Sequence, residues 1–447
     1  MKTHLRPTLL LAIPVVLSQL GHTLVNFVDS VIVGHLGAVP LAAISVGVSI
    51  TTVPLIFGIG LSMSTVPLVA AADGRADWPA LGRLLVATVW LNALAGAGLA
   101  AAGWALSWLL PYLGQAPAVV ALITPWVRVI SLSLLPLMLF QGFREYAEGL
   151  GLTRQAMWLS IIANVVNGLL CYALAFGKWG APNLGLLGAA WAALLARCLM
   201  AALMAAYVLR ARRLAPHRAA VEHWLRPPLP ELRRLLALGT PIGVQMMLEI
   251  GAFGFSALMI GWLGTTPQAA HQVAIQVAAL TYMAASGIGA AATIRVGRLR
   301  GAGELAAARQ AGFAAYWLTF GFMGSMALVL IGTRHAVPLL FDQPPAVAAA
   351  ASTLLLIAAL FQVSDGLQVV GLGALRGLED VKVPSVVALL AYWAVALPLG
   401  YVLGFGLKLG APGVWLGLLL GLSIVAGVLL YRFRQLTAPA ASVLAPA

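Results

Sequence analysis

Stretches of twenty to thirty mostly apolar residues recur along the whole of this 447-residue chain, separated by short groups of Gly, Pro or charge. A bilayer core takes about 20 helical residues to cross. In lipid every backbone N–H and C=O must find a partner within the protein, so such runs form helices, and they are too long to be barrel strands. Only 9% of the residues are charged and 62% are hydrophobic, whereas soluble domains carry about a quarter charged residues. The chain reads as an all-α polytopic membrane protein.

Twelve segments are expected, near residues 8–34, 42–72, 84–110, 118–144, 155–177, 184–210, 235–262, 268–294, 308–333, 346–374, 383–406 and 411–432. The basic start (Lys2, Arg6) resembles a signal peptide, but the apolar run from Leu9 to Val33 is too long for one, so it reads as a retained first span. Cys171 and Cys198 both lie inside apolar runs, which argues against a disulfide framework.

The net charge of +13 is spread in small clusters between spans, without a single basic face. That excludes a nucleic-acid partner and follows the positive-inside bias. With a cytoplasmic N-terminus, 21 Lys and Arg fall on the cytoplasmic side, three outside (Lys178, Arg334, Lys408) and two within spans (Arg128, Arg197). Both termini are therefore expected in the cytoplasm. The polar stretch 210–234 becomes a basic linker between two six-helix lobes, 1–209 and 235–434, followed by a tail at 435–447.

The lobes read as repeats. GHLGAVPLAAISV (34–46) and GWLGTTPQAAHQV (261–273) share seven of thirteen positions, and the same offset of 227 pairs Pro14 with Pro241 and Gly74 with Gly301. An even number of spans per repeat gives both copies one orientation. Transporters use such duplications, binding cargo near the midplane between two lobes that rock.

Three acids interrupt the apolar segments: Asp29, Glu249 and Asp365. A central acid costs roughly 2.5–3.5 kcal/mol on insertion scales, so each needs a partner or a purpose. An ion pair with Arg128 or Arg197 would account for Asp29. The second lobe has no Lys or Arg away from the cytoplasmic ends of its spans, so a proton, an ion or a cationic cargo is expected to neutralise Glu249 and Asp365. At 100° per residue, Gln245, Glu249 and Ser256 share one helical face to within about 40°. The repeat-related stripe in the first segment is Ser18, His22 and Asp29, with Asn26 alongside, and His22 holds the repeat position of Glu249. Ser160, Asn164, Asn167 and Cys171 line another segment, and Gln362, Asp365 and Gln368 another. Interhelical hydrogen bonding explains the Ser, Asn and His members equally well.

No GxxxxGK[ST], HExxH or GxSxG motif occurs, which leaves direct nucleotide drive and hydrolase chemistry unsupported. GIGAAA (287–292) lies inside a span, and GLLLG (417–421) reads as close helix packing. Unpaired carboxylates in low dielectric attract organic cations and coupling ions alike. Met246, Met247, Phe253, Phe255, Tyr282, Met283 and Phe361 would suit flat, greasy cations.

Four segments carry a family likeness: VDSVIVGHLG (28–37), MLEIGAF (247–253), AAHQVAIQVAALTYMAASGIGAAATIRVG (269–297) and SDGLQVVGLGALRGLEDVKVP (364–384). With them the chain resembles the multidrug and toxic compound extrusion (MATE) family, in its NorM-like branch, over nearly its full length. The resemblance implies a secondary efflux antiporter, not an enzyme. Such a protein exports organic-cation drugs and dyes in exchange for Na⁺ or H⁺ by alternating access, without a cofactor, as a monomer in the bacterial inner membrane.

It also implies site residues. Glu249 and Asp365 match the family's C-lobe acids, which would hold Na⁺ where Na⁺ is the coupling ion, and Tyr282 matches a tyrosine that joins them. Gln245 goes with this group by helical spacing. Asp29 and Asn167 match the N-lobe polar site, with Asn164 and His22 added by spacing. Two positions depart from the pattern: Cys171 stands where many relatives have Asp or Asn, and Ala193 where proton-coupled relatives carry Thr. Coupling is therefore expected in the C-lobe. The alternative is a lipid-linked oligosaccharide flippase of the same architecture, which would need several intramembrane bases where only Arg128 and Arg197 are present. A channel would need rings of like residues that the stripes do not form.

Overall fold

The computed structural model describes residues 2–112, 114, 116–221 and 223–438, with the side chains of residues 2, 3, 22, 26 and 27 excepted. Among them, twelve helices are long and apolar enough to cross a membrane, and no strand occurs. In the first half these are α1 (Lys2–Gly34), α2 (Ala38–Gly74), α3 (Trp78–Leu106), α4 (Pro117–Gly149), α5 (Thr153–Phe176) and α6 (Leu186–Arg210). The second half has α7 (Leu229–Gly261), α8 (Thr265–Gly301), α9 (Leu305–Thr333), α10 (Pro345–Gly377), α11 (Lys382–Gly406) and α12 (Ala411–Leu436).

The expected class and span count hold, while several ends move. α1 begins at Lys2 and α7 at Leu229, so residues 229–234 of the expected linker are already helical. Charge at those ends signals a loop in sequence, yet Glu231 in the first turn of α7 sits where a carboxylate meets the positive end of the helix dipole. α8 likewise runs past its apolar stretch to Gly301. Most of the expected tail, residues 439–447, lies outside the described residues.

Local chemistry marks other ends. The Asp77 carboxylate accepts the Ala80 N–H at 3.0 Å and caps α3. Gly177 ends α5 in the left-handed region, at φ 66°. Within α11 the helix widens into π turns at Ala391–Ala396 and Val402–Gly406, on either side of Leu397–Tyr401. Pro398, with no N–H to donate, lies just after the first of these turns.

By contacts the chain forms two compact units, one of Met1–Ile13 with Leu248–Ala447 and the other of Pro14–Met247. The leading segment of α1 thus groups with the C-terminal helices: Arg295 of α8 donates to the Thr8 hydroxyl at 2.8 Å and to the His4 carbonyl. The leading segment of α7 groups with the N-terminal helices, where a Cβ on Gly243 would lie 2.8 Å from the Phe57 carbonyl oxygen of α2. Since α2 and α8 are repeat-related, these two attachments obey the same internal symmetry.

Small residues let helices approach until backbones touch. A Cβ on Gly373 of α10 would come within 2.2 Å of the Gly289 carbonyl oxygen of α8. Gly417 and Gly421, the ends of GLLLG, similarly abut Gly400 and Ala396 of α11. Around these contacts, Trp415, Tyr392 and Phe361 are fully buried in the C-terminal unit, and Tyr146 and Phe140 in the N-terminal one.

Candidate functional site

α7, α10 and α11 bring together the polar side chains that the C-lobe apolar segments cannot dilute. Glu249 on α7 is half-buried. Its Oε1 accepts from Gln368 Nε2 at 3.1 Å and from the Tyr392 hydroxyl at 3.1 Å. Gln368 and Tyr392 also bond one another, with Gln368 Nε2 2.7 Å from the tyrosine oxygen and Gln368 Oε1 at 3.1 Å. A hydroxyl has one proton to give, so Tyr392 donates either to Glu249 or to Gln368 Oε1 at any moment. The charge on Glu249 decides which, because charge-assisted hydrogen bonds are the stronger ones.

Asp365 is 5% exposed, and among the described residues no side chain donates a hydrogen bond to it. It lies close enough to Glu249 for the two charges to act on each other. Tyr282 of α8 lies within electrostatic reach of both carboxylates and keeps a partly open face. A buried carboxyl without a donor is tolerated when it carries a proton or meets a cation. No group of three or more His, Cys, Asp or Glu converges among the described residues.

The site has an aromatic wall. Phe253 meets Tyr392 and Phe361 edge-on at 5.9 and 6.0 Å, and Phe361 meets Trp415 at 5.3 Å. The Trp393 indole donates to the Leu248 carbonyl at 3.1 Å and ties α11 to α7 beside Glu249.

Sequence spacing did not assemble every member. Gln245 is buried on α7, one turn before Glu249. Ser256 turns its hydroxyl to the Ala252 carbonyl of its own helix. Gln362 is buried, and neither of its amide atoms has a hydrogen-bond partner among the described residues. Tyr392, the centre of the network, was absent from the expected set. It sits in the π turn of α11, which advances the face of the helix and defeats a 3.6-residue count.

In the N-terminal unit, Asn167 Nδ2 donates to both Asp29 oxygens at 3.1 and 3.0 Å, and the Cys171 thiol also bonds Asp29. Cys171 thereby occupies the departure position as a donor in its own right. Asn164 is buried, with its amide 3.6 Å from where a Cβ on Gly21 would lie. The side chains of His22 and Asn26 lie outside the described ones. Of the two arginines available to Asp29, Arg128 donates to Ser107 at 3.1 Å and covers the Trp104 ring. Arg197 donates to the Ser133 hydroxyl, and only its charge reaches Asp29.

A family model described as MatE matches residues 14–173 and 241–402. A probable multidrug resistance protein NorM of Rhizobium meliloti is 35% identical over 450 residues, which cover 98% of this chain and 96% of the relative. Another of the same description from Rhodopseudomonas palustris is 38% identical over 440 residues, covering 98% and 93%. The crystal structure of a Vibrio cholerae MATE transporter in its bent form matches with a TM-score of 0.85 at 20% identity, over 98% of this chain and 97% of that one. At that identity the likeness speaks for the fold. The two family matches begin at Pro14 and Pro241, the prolines that the internal offset pairs. Matched in both repeats and along almost its entire length, the chain belongs to the MATE family.

Proposed function

We propose that this protein is a secondary multidrug efflux antiporter that exports amphipathic cations by alternating access, coupled to Na⁺ or H⁺ entry at Glu249 and Asp365. The observation that carries this reading is the pair itself. Asp365 is buried without a hydrogen-bond donor among the described residues, beside a Glu249 whose Oε1 is held by Gln368 and Tyr392. Two adjacent carboxylates in low dielectric repel one another, so an arriving cation relieves both. Proton, Na⁺ and organic cation would then compete for one anionic site, which is the requirement for exchange.

The names of the relatives support drug export, and the aromatic wall of Phe253, Phe361 and Tyr392 suits a flat cation. The Asp29, Asn167 and Cys171 cluster is a second polar site that stabilises the N-terminal helices. The distribution of Lys and Arg supports a cytoplasmic side for both termini, and the proposed transporter is a monomer in the inner membrane.

Ethidium efflux from proteoliposomes tests this, first under an imposed Na⁺ gradient and then under a pH gradient, with wild type and Glu249→Gln side by side. Efflux driven by one gradient and lost in the variant supports the reading and identifies the ion. Wild-type rates in Glu249→Gln, or efflux under neither gradient, would overturn it.

A further inference from the structure

Between α6 and α7 the chain does not loop freely. Residues 212–214 make a 3-10 turn and Ala215–Ala219 a short helix, and the segment is then strapped along the first half of α3. His217 is buried, stacked on Trp78 at 5.2 Å, with Nδ1 3.0 Å from the Tyr146 hydroxyl. Tyr146 donates its own proton to the Leu81 carbonyl at 3.1 Å, so Nδ1 of His217 is the donor in that pair. The strap backbone lies directly on Gly82, where a Cβ would meet the His217 carbonyl oxygen at 2.8 Å. Arg218 returns to the Ala211 carbonyl at 2.8 Å and closes the end of α6. Finally the Trp90 indole donates to the Trp224 carbonyl at 3.3 Å.

These fastenings run from Trp78 to Trp90, which is about 18 Å of helix at 1.5 Å per residue. They hold the strap against a helix that crosses the membrane, and they bring Trp224 and Leu225 alongside it. Leu225 is 87% exposed and Trp224 42%. Arg210, Arg212, Arg213, Arg226 and Arg233 are exposed as well. Glu231, an acid of the linker, is paired with Arg83. An exposed Trp–Leu pair fastened beside α3, on a segment that carries several exposed arginines, is chemically matched to the boundary between acyl chains and phosphate.

We infer that the strap, residues 212–221 and 223–229, is an interfacial anchor for anionic phospholipid. Trp224 and Leu225 enter the acyl–headgroup boundary, and Arg212, Arg213 and Arg226 bind the lipid phosphate. The basic linker expected from sequence thus acts as a lipid-binding surface, and its fastening to α3 carries the lipid contact to the N-terminal unit. The inference is independent of which cargo or coupling ion the transporter uses.

The test places an environment-sensitive NBD probe at Leu225→Cys in a Cys198→Ser background, with the full chain in nanodiscs of phosphatidylcholine alone or mixed with phosphatidylglycerol. Blue-shifted emission, quenched by spin-labelled acyl chains, is expected in the anionic discs. Replacing Arg212, Arg213 and Arg226 by Gln should weaken that response roughly fivefold for each arginine, and native mass spectrometry should show fewer retained phosphatidylglycerol molecules. Water-like emission quenched by aqueous iodide in both discs would overturn the anchor. So would equal emission in both discs, unaffected by the Arg→Gln changes. Inorganic phosphate in place of anionic lipid should leave the probe unchanged. If it reproduces the response, the arginines form a free-anion site and the lipid assignment falls.

Discussion

The Tyr392 hydroxyl lies 3.1 Å from Glu249 Oε1, reaching across from a π turn in α11 to the middle of α7. Through that single proton a carboxylate on α7 is joined to a hydroxyl on α11. When Glu249 is ionised the hydroxyl serves it. Once a cation or proton satisfies Glu249, the hydroxyl is released to Gln368.

Tyr392→Phe should therefore keep the protein folded and slow coupled exchange by about 10- to 100-fold, the loss expected for one hydrogen bond to a charged group, ~1.5–3 kcal/mol. Gradient-driven ethidium efflux in proteoliposomes reads this directly. Unchanged efflux would remove Tyr392 from the mechanism while leaving Glu249 in place.

Asp365→Asn removes a buried charge that no described side chain serves. Its melting temperature in detergent should match or exceed that of wild type, while stabilisation by added coupling cation and driven efflux are both lost. A variant that melts well below wild type would instead make Asp365 a structural group.

Asn167→Ala deletes the donor to both Asp29 oxygens and leaves a half-buried carboxylate short of partners. A cost of about 1–3 kcal/mol is expected, seen as a lower melting temperature. Arg197 donates to Ser133 and reaches Asp29 only through its charge, so it does not replace the lost hydrogen bonds. Equal melting of variant and wild type would contradict this.

Gly373→Ala drives a methyl group into the Gly289 carbonyl, whereas Gly324→Ala meets nothing within 4 Å. The first should reduce recovery of folded protein and the second should not. Fluorescence-detected gel filtration of tagged variants separates the two, and equal profiles would refute close α8–α10 packing.

Burial holds the pKa of His217 below its ordinary 6.5, Arg213 and Arg218 push the same way, and Asp73 opposes them. The neutral imidazole is therefore the docked form. Strap stability should be complete above pH 6.5 and decline as pH falls below it, since the released histidine then takes up a proton more readily than the docked one. Hydrogen–deuterium exchange over residues 215–226 should accelerate in that window, and His217→Phe should abolish the pH dependence. Exchange that is independent of pH in wild type would count against it.

Much of this was legible before any coordinates. Apolar length set the number of spans, because lipid leaves the backbone no other way to satisfy itself. The offset of 227 exposed the duplication, and the rarity of charge in the spans singled out Asp29, Glu249 and Asp365. Those are signals of composition and period, carried by residues one at a time.

Partnership was another matter. Sequence offered Asp29 an arginine, Arg128 or Arg197, or the family's asparagine, Asn167, and in the structure Asn167 makes the hydrogen bonds while Arg197 acts only through its charge. It aligned Gln245 and Ser256 with Glu249, and the structure adds hydrogen bonds from Gln368 and Tyr392, on α10 and α11. The stretch 210–234 read only as a basic linker, and the structure buries His217 within it against Trp78 and Tyr146. Helical periodicity determines which residues share a face, so the sequence alone named the acids and the membrane-spanning plan. Which faces meet depends on glycine-scale close packing and on a π turn that breaks the period, and only the tertiary structure decided those.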